Sequence, residues 1–323
     1  MLSKLPLYTP VNIETSARFT YNNRFLFIGS CFSEHIASKL TAVGFHTFSN
    51  PTGITYNPLS ISQSIRNITH QSKWKPTYLE KKDDLFFSWS HHGSFKSTSE
   101  KDLLQRIDLA YSKAKECLTS SPVLILSWGT SVAHELKQTG DIVANCHKFP
   151  ASNFNSFLIE PAQIVDEYIE LFEELLGLYP DAIILLTISP VRHLRDGLIA
   201  NQRSKSALHW AAHELLRIFP DNVLYFPAYE LMIDELRDYR YYARDLVHPN
   251  DLAVDYIWQK FINSYFSNQE IEILTEIEQY NKLKAHRILF PESEQALDHI
   301  DRVEATYIGL REKYPQVIIQ APT

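Results

Sequence analysis

Two short stretches, far apart in the sequence, carry the residue types of a nucleophilic enzyme. In the first, Ser30 and Cys31, two nucleophile-type side chains, directly follow Gly29. In the second, Asp245 precedes His248 by three residues. Across one turn of loop the carboxylate can hold one ring nitrogen, which leaves the other free to take a proton from a nucleophile. Taken alone, Asp-x-x-His more often marks a capping aspartate beside a surface histidine.

The residues around the first stretch predict a strand, a tight turn and a helix. Phe25–Ile28 are four large apolar residues, too few for a helix, and predict a strand buried on both faces. Gly29 gives the backbone freedom for an abrupt turn. From Phe32 onward apolar residues recur at helical spacing, with Ser33 as the predicted N-cap and Gly44 at the end. The nucleophile-type pair therefore lies at the carboxyl end of a strand and the amino end of a helix, where open α/β sheets build their sites.

Strands and helices alternate along most of the chain, which predicts an α/β fold. The other runs with strand composition are Val123–Trp128, Ala182–Ile188, Val223–Phe226 and, more weakly, Phe45–Ser49. Helical patterns begin near Pro161 and cover Ala207–Ile218 and Leu252–Phe261. This alternation implies right-handed crossovers and a parallel sheet covered on both faces. We predict a three-layer, flavodoxin-like sheet of five parallel strands.

Hairpin insertions and a helical extension depart from this alternation. Thr77–Phe95 and Val132–Cys146 each have two β-prone runs around a polar turn, so each predicts a hairpin able to cover the site. Two charged amphipathic helices follow, roughly Gln269–His286 and Pro291–Tyr314. We predict an α/β domain over residues 1–266 and a C-terminal helical extension over residues 267–323.

Composition excludes several classes of protein. Of the 323 residues, 45% are hydrophobic and 21% charged, as in an ordinary globular protein, and a net charge of −7 gives no reason to expect nucleic acid or an anionic membrane as partner. No apolar run approaches the roughly 20 residues of a membrane span, and no signal peptide is evident. The three cysteines Cys31, Cys117 and Cys146 fit free thiols in a reducing compartment, so we expect a cytoplasmic protein. The spacing of His and Cys matches no standard metal site, and we expect neither metal nor cofactor.

Together the two stretches resemble the GSCFA family, a branch of the SGNH (GDSL-like) hydrolase clan. Gly29–Phe32 matches the name motif, with Ser33 in place of the family's Ala, and Asp245–Pro249 matches the last block. Further similar stretches are Asn50–Pro58, Gly129–Ser131, Asn145–Lys148 and Ser189–His193. The resemblance covers about residues 8–265. It implies an esterase-like hydrolase or acyltransferase acting on an acyl ester or related carbonyl of a small molecule or carbohydrate.

The resemblance also assigns roles to single residues. The clan's first block is Gly-Asp-Ser, and on this sequence its nucleophile position falls on Cys31 and its Asp position on Ser30. The last block places the acid and base on Asp245 and His248. The clan's oxyanion donors are the N–H of the nucleophile, a glycine of the second block, here Gly53, and an asparagine of the third block. The resemblance thus implies a Cys/Ser-His-Asp catalytic triad.

The third block departs from the clan's pattern. Its Gly-x-Asn-Asp falls on Gly129-Thr130-Ser131-Val132, so the asparagine is absent. Ser131 or, from the second hairpin, Asn145 could donate in its place. Gly129, Thr130, His147 and Arg192 complete the predicted oxyanion- and substrate-binding residues. The planar fork of Arg192 suits a substrate carboxylate or phosphate, although a structural salt bridge fits this residue nearly as well.

The nucleophile itself has two candidates. A thiol is more acidic than a hydroxyl, and a helix N-terminus and a nearby imidazole lower its pKa further, which favours Cys31. In the alternative, Ser30 attacks and Cys31 is a small packing residue. A third polar residue, Lys205, is predicted near a helix start, where a substrate contact and a solvated surface charge are equally open.

A second hypothesis comes from another class of protein: a non-catalytic protein that binds a carbohydrate or peptide on the same scaffold. The missing asparagine favours it, because one oxyanion donor typically lowers the barrier by ~2.7–4 kcal/mol. The spacing of Asp245 and His248 favours the enzyme. The pattern contains no signal for an oligomeric state.

Overall fold

The computed structural model describes residues 8–70, 79–119 and 121–322. Within them the strands are β1 (Arg24–Gly29), β2 (His46–Ser49), β3 (Leu79–Lys82), β4 (Leu85–Ser88), β5 (Lys96–Ser97), β6 (Pro122–Trp128), β7 (Val132–Leu136), β8 (Ile142–Val143), β9 (Phe154–Leu158), β10 (Ile183–Ile188) and β11 (Val223–Phe226). The helices are α1 (Cys31–Ala42), α2 (Pro58–Thr69), α3 (Glu100–Glu116), α4 (Pro161–Leu178), α5 (Gly197–Ile218), α6 (Ala228–Glu230), α7 (Asp251–Tyr265), α8 (Asn268–Lys284) and α9 (Glu294–Lys313). A π-helical turn, Leu231–Glu235, continues α6, and short 3₁₀ turns lie at Ala151–Asn153 and Tyr239–Tyr241.

The central sheet has five parallel strands in the order β2-β1-β6-β10-β11. In chain order of these five strands this is 2-1-3-4-5, the flavodoxin-like arrangement, so the predicted topology is confirmed. Gly29 of β1 lies opposite Ser127 of β6, and Ile188 of β10 lies opposite Trp128. The carboxyl ends of these three strands therefore meet at one edge of the sheet.

Helices cover both faces of the sheet, because successive residues of its strands point in opposite directions. Phe25 and Phe27 belong to a core that they share with buried residues of α1, α7, α8 and α9. Leu26 and Ile28 belong to a second core, shared with α2, α3, α4 and α5. The apolar run of β1 is thus buried on both sides, and the predicted three-layer fold is confirmed.

The turn between β1 and α1 is tighter than the sequence indicates. Gly29 has a φ of +144°, and a Cβ at this position would lie 2.2 Å from the Ser127 carbonyl oxygen, so only glycine fits. The chain completes its turn within one residue, and α1 begins at Cys31 with Ser30 as its N-cap. The prediction of Ser33 as N-cap is wrong: Ser33 is buried in the first turn, and its N–H donates to the Ser30 carbonyl oxygen at 2.9 Å.

The two predicted hairpins are present, each in a small antiparallel sheet of three strands. Strands β3 and β4 pair across a turn in which Asp83 has a φ of +54°, and β5 pairs with the other edge of β4. Strand β7 pairs with β8 and β9. Residues 77 and 78 of the first prediction lie outside the described residues.

The two C-terminal helices are also confirmed, and α8 packs against the α/β core. Its buried residues Ile273, Ile277 and Tyr280 belong to the same core as α1. The Ile318 N–H donates to the Gly44 carbonyl oxygen at 2.9 Å, which fixes the chain beyond α9 to the end of α1. A domain boundary at residue 267 stays a prediction. None of the helices in the described residues is long and apolar enough to cross a membrane.

Candidate active site

A cavity of about 470 Å³ lies at the carboxyl ends of β1, β6 and β10. Its wall contains both chemical stretches: Ser30 and Cys31 at the start of α1, and Asp245 and His248 in the loop before α7. The wall also contains Tyr56, Thr130, Val132, His134, Ser189, Val191–Asp196 and Val247. Strand β7 of the second hairpin contributes Val132 and His134, so this hairpin does cover the site. The fold therefore places the thiol and the imidazole on one small cavity.

Asp245 holds the ring of His248. Its Oδ2 lies 2.6 Å from Nδ1 of the imidazole, and its Oδ1 accepts the backbone N–H groups of Val247 and His248 at 2.9 and 3.0 Å. These two backbone bonds, with the imidazole N–H adding to them, lower the pKa of Asp245 to about 2. The ionised carboxylate favours the tautomer with a proton on Nδ1, which leaves the Nε2 lone pair available.

Asp245 is not the residue that caps α7. Asn250 is the N-cap, and its Oδ1 accepts the Ala253 N–H at 3.1 Å. Asp245 instead closes a turn of the preceding loop, in which Leu246 has a φ of +59°. Asp245 and His248 are each half exposed on the cavity wall. The pair thus combines the two interpretations of Asp-x-x-His, because the aspartate both closes a turn and orients an imidazole.

Ser30 and Cys31 differ in how their side chains are held. The Ser30 hydroxyl lies 2.8 Å from the Ser127 hydroxyl, and Ser30 is 1% exposed. Cys31 is partly exposed at the first position of α1, where the backbone N–H groups of Cys31 and Phe32 lower the pKa of its thiol. The serine is thus bonded into the sheet beneath the cavity. Of the two, Cys31 is better placed to meet a substrate.

The electrostatic surroundings of Cys31 differ from the expectation. Burial raises the pKa of its thiol, and the nearby Glu34 carboxylate raises it further. The helix amides lower the pKa as expected, and the buried ammonium of Lys205 acts in the same direction. Burial and Glu34 outweigh these effects, so the prediction of a lowered pKa is wrong. A thiol of this kind needs a base to remove its proton.

Three of the predicted oxyanion donors already have backbone partners. The Gly53 N–H donates to the Asn50 carbonyl oxygen at 2.7 Å, and Gly53 lies outside the cavity wall. The N–H groups of Gly129 and Thr130 both donate to the Tyr56 carbonyl oxygen, at 2.7 and 3.1 Å. The Thr130 hydroxyl is engaged as well: it lies 3.0 Å from the Ser204 hydroxyl and accepts the Val132 N–H at 3.1 Å.

Ser131, Asn145 and His147 also lie outside the cavity wall. Ser131 is fully buried, and its N–H and hydroxyl both donate to the Ser204 hydroxyl of α5. Asn145 accepts the His147 N–H at 2.8 Å, and His147 Nε2 lies 3.0 Å from the Ser88 carbonyl oxygen. Ser131 thus joins the loop before β7 to α5, and His147 joins the second hairpin to β4. Substrate contact by Ser131, Asn145 or His147 stays a prediction.

The model of the GSCFA family matches residues 24–261, about three quarters of the chain, including every residue of the cavity wall. The protein belongs to the GSCFA family. No curated protein matches the chain.

Among solved structures, this GSCFA protein is similar to a "putative acylhydrolase" from Bacteroides fragilis at 10% identity, with a TM-score of 0.38, over 76% of this chain and 89% of the other. It is also similar to a family two carbohydrate esterase from Clostridium thermocellum at 13% identity, with a TM-score of 0.36, over 80% of this chain and 65% of the other.

Two residues at this GSCFA site have surroundings that were not predicted from the sequence. Tyr56 lies in a stretch that resembles the family, but its side chain was not singled out. Lys205 is fully buried in the middle of α5 and outside the cavity wall, so the predictions of a helix start and of a solvated surface charge are wrong. A signal for its burial was available: Lys205 shares one face of α5 with Leu208, Ala212 and Leu215 at helical spacing.

Arg192 lies in the cavity wall, as its prediction requires. It forms no ion pair with any residue in 8–70, 79–119 or 121–322, so the structural salt bridge is not seen there. Recognition of a substrate carboxylate or phosphate by Arg192 stays a prediction. The described part of the chain contains no group of three His, Cys, Asp or Glu side chains placed to hold a metal ion.

Proposed function

We propose that this protein is an esterase-type acyl hydrolase or acyltransferase that uses Cys31 as nucleophile, His248 as base and Asp245 as its orienting carboxylate. One observation carries the proposal: the thiol and the Asp245-held imidazole belong to the wall of a single cavity. Nucleophile, base and orienting acid form the arrangement of covalent acyl-transfer enzymes. The substrate is an acyl ester of a small molecule or carbohydrate, and the cytoplasm is the proposed location.

The proposed reaction has two halves. In the first, Nε2 of His248 takes the proton of the Cys31 thiol, and the sulfur attacks the carbonyl carbon of the ester. The tetrahedral intermediate collapses, the alcohol leaves with the proton from His248, and the acyl group remains as a thioester on Cys31. In the second half His248 takes a proton from water or an acceptor alcohol, which attacks the thioester and frees the thiol. Asp245 stabilises the imidazolium in both halves.

Tyr56 is the proposed replacement for the missing oxyanion-stabilising asparagine. Its carbonyl oxygen is held by the N–H groups of Gly129 and Thr130, and its ring lies in the cavity wall. Burial raises the pKa of Tyr56, and an ionised Cys31 raises it further, so its hydroxyl stays protonated and able to donate. The N–H of Cys31 at the start of α1 is the second proposed donor.

Replacing Tyr56 with phenylalanine is expected to lower kcat by about 10²–10³-fold, the loss typical of one oxyanion donor, with little change in KM. The measurement is steady-state hydrolysis of p-nitrophenyl acetate. Tyr239→Phe is the matched control, because Tyr239 is 73% exposed and lies outside the cavity wall. A Tyr56→Phe enzyme with the kcat of the native protein would exclude this role.

Covalent labelling tests the proposed nucleophile without knowledge of the substrate. Iodoacetamide is expected to modify Cys31 faster than Cys117, which is fully buried and whose pKa burial raises to about 12. Because the pKa of Cys31 is itself raised, His248→Ala is expected to slow its alkylation by iodoacetamide at neutral pH. Peptide mass spectrometry reads both rates. Equal labelling of Cys31 and Cys117 would remove the basis of the proposal.

The non-catalytic alternative is favoured by one observation. The backbone N–H groups of Gly53, Gly129 and Thr130 are all engaged by carbonyl oxygens, so a classical set of oxyanion amides is incomplete. A carbohydrate- or peptide-binding protein on this scaffold would bind acyl sugars without releasing acid. A steady release of acetate from acetylated sugars or p-nitrophenyl acetate by the native protein, absent in Cys31→Ala, would exclude it.

A further inference from the structure

The ammonium of Lys205 is buried beneath the cavity. Its Nζ donates to the Gly129 carbonyl oxygen at 2.7 Å and to the Ser189 carbonyl oxygen at 2.6 Å, and the residue is 0% exposed. Gly129 directly follows β6 and Ser189 directly follows β10, so one side chain of α5 ties two strand ends together. Full burial of a lysine is costly unless its charge has partners.

The hydrogen-bonding capacity of the amine matters here. A neutral amine has two N–H donors and a lone pair, whereas an ammonium has three donors. Both forms satisfy the two carbonyl oxygens, so the strand ends stay tied in either state. The two forms differ only in their charge and in whether the nitrogen has a lone pair or a third N–H. The protonation state of Lys205 is therefore free to respond to its electrostatic neighbours.

Those neighbours include the proposed nucleophile, because Ser189, whose carbonyl oxygen accepts from Nζ, lies in the same cavity wall as Cys31. Burial lowers the pKa of Lys205 to about 7, an ionised Cys31 raises it, and Arg192 lowers it. The ring of Tyr229 lies 5.5 Å from the ammonium. Cys31 is thus an anion-forming neighbour that favours a charged Lys205.

We propose that Lys205 is a positioning residue whose buried positive charge favours the ionised form of the Cys31 thiol while its two carbonyl bonds fix the strand ends below it. This inference rests on the proposed role of Cys31. The coupling is reciprocal, since a thiolate on Cys31 and an ammonium on Lys205 stabilise each other. Lys205 touches no substrate; it acts through the nucleophile.

Other charged and titratable groups act on the same pair from each neighbouring element. Glu34 of α1 opposes ionisation of Cys31. Because its effect on the pKa of Cys31 has the opposite sign to that of Lys205, a Glu34 variant is a suitable comparison. The remaining groups are Tyr56 before α2, Arg192 and His193 after β10, Tyr229 of α6, and Asp245 and His248 before α7. All of them stay unchanged in the variants below.

The test is the pH dependence of iodoacetamide alkylation at Cys31 in the full-length protein, resolved by peptide mass spectrometry. Lys205→Met is expected to move the midpoint upward by about one pH unit or more, the typical effect of removing a nearby opposite charge. Glu34→Gln is expected to move it downward. Lys205→Arg, which keeps the charge, is expected to leave it near the native value. Cys146 is the internal reference, because Arg195 and not Lys205 acts on its pKa.

Lys205→Gln covers the case in which Lys205→Met does not fold, since its amide keeps two N–H donors for the carbonyl oxygens but has no charge. If Lys205 had only a structural role, its variants would turn over substrate more slowly but keep the native midpoint of Cys31 alkylation. An unchanged alkylation midpoint in Lys205→Met or Lys205→Gln therefore overturns the inference. A native Cys31 that reacts no faster than Cys117 at any pH would instead remove the proposed function. The two failures are therefore distinguishable in one data set.

Discussion

Replacing Cys31 with alanine is expected to lower the hydrolysis of a small acyl ester by about 10⁴-fold or more, because removal of a nucleophile eliminates the covalent route altogether. The thiol is partly exposed, in the cavity wall, and at the amino end of α1. The substitution removes one sulfur from a cavity surface rather than from a core, so the unfolding temperature should change little. The measurement is kcat/KM for p-nitrophenyl acetate together with a thermal melt.

Two variants make this result specific. Ser30→Ala keeps the thiol and loses only the bond to the Ser127 hydroxyl, so it is expected to retain most activity. Cys146→Ala removes another partly exposed cysteine that lies outside the cavity wall and is expected to behave like the native protein. Unchanged turnover in Cys31→Ala would reject the nucleophile. Activity lost in Ser30→Ala but kept in Cys31→Ala would transfer the role to the serine.

The second large effect is expected at the pair that activates the thiol. Asp245→Asn should lower kcat by about 10³–10⁴-fold, because a neutral amide neither selects the Nδ1–H tautomer of His248 nor stabilises its imidazolium. His248→Ala should lose at least as much. The native pKa of about 2 keeps Asp245 ionised at neutral and mildly acidic pH, and it loses its charge only as pH falls through that value. The pH dependence of activity near neutrality therefore comes from other groups.

Stopped-flow hydrolysis at several pH values measures this effect. His35→Ala is the control for loss of an imidazole, because His35 is exposed on α1 and lies outside the cavity wall. Free imidazole added to His248→Ala should restore part of the rate, since the space left by the ring opens to the cavity. Native turnover in both Asp245→Asn and His248→Ala would contradict the proposed base.

The fold was accessible from the sequence because its signal is local. Phe25–Ile28 and Val123–Trp128 are apolar without interruption, as strands buried on both faces must be, and they lie in the predicted places. The start of α1 was not accessible, because it depends on a contact between Gly29 and the backbone of Ser127 across the sheet. Residue spacing along one segment does not predict a contact with a strand that is distant in the sequence.

The candidate site was accessible only in part, for a similar reason. The types and order of Cys31, Asp245 and His248 are visible in the sequence, and the cavity contains all three. The hydrogen-bond partner of a backbone N–H is not visible in the sequence. The bond from the Gly129 N–H to the Tyr56 carbonyl oxygen could therefore not be predicted. The direction of the pKa shift of Cys31 could not be predicted either. The helix N-terminus, which lowers this pKa, is a local feature of the sequence, whereas the burial that raises it depends on every element packed around the sulfur.

The most direct test is to look for the acyl group on the protein. The native enzyme is mixed with p-nitrophenyl acetate, quenched with acid within the first turnover and digested for peptide mass spectrometry. The account predicts acetyl on the Cys31 sulfur, formed together with a burst of p-nitrophenol and lost in later turnovers. Acetyl on Ser30, or turnover without any acyl group on either residue, would contradict it.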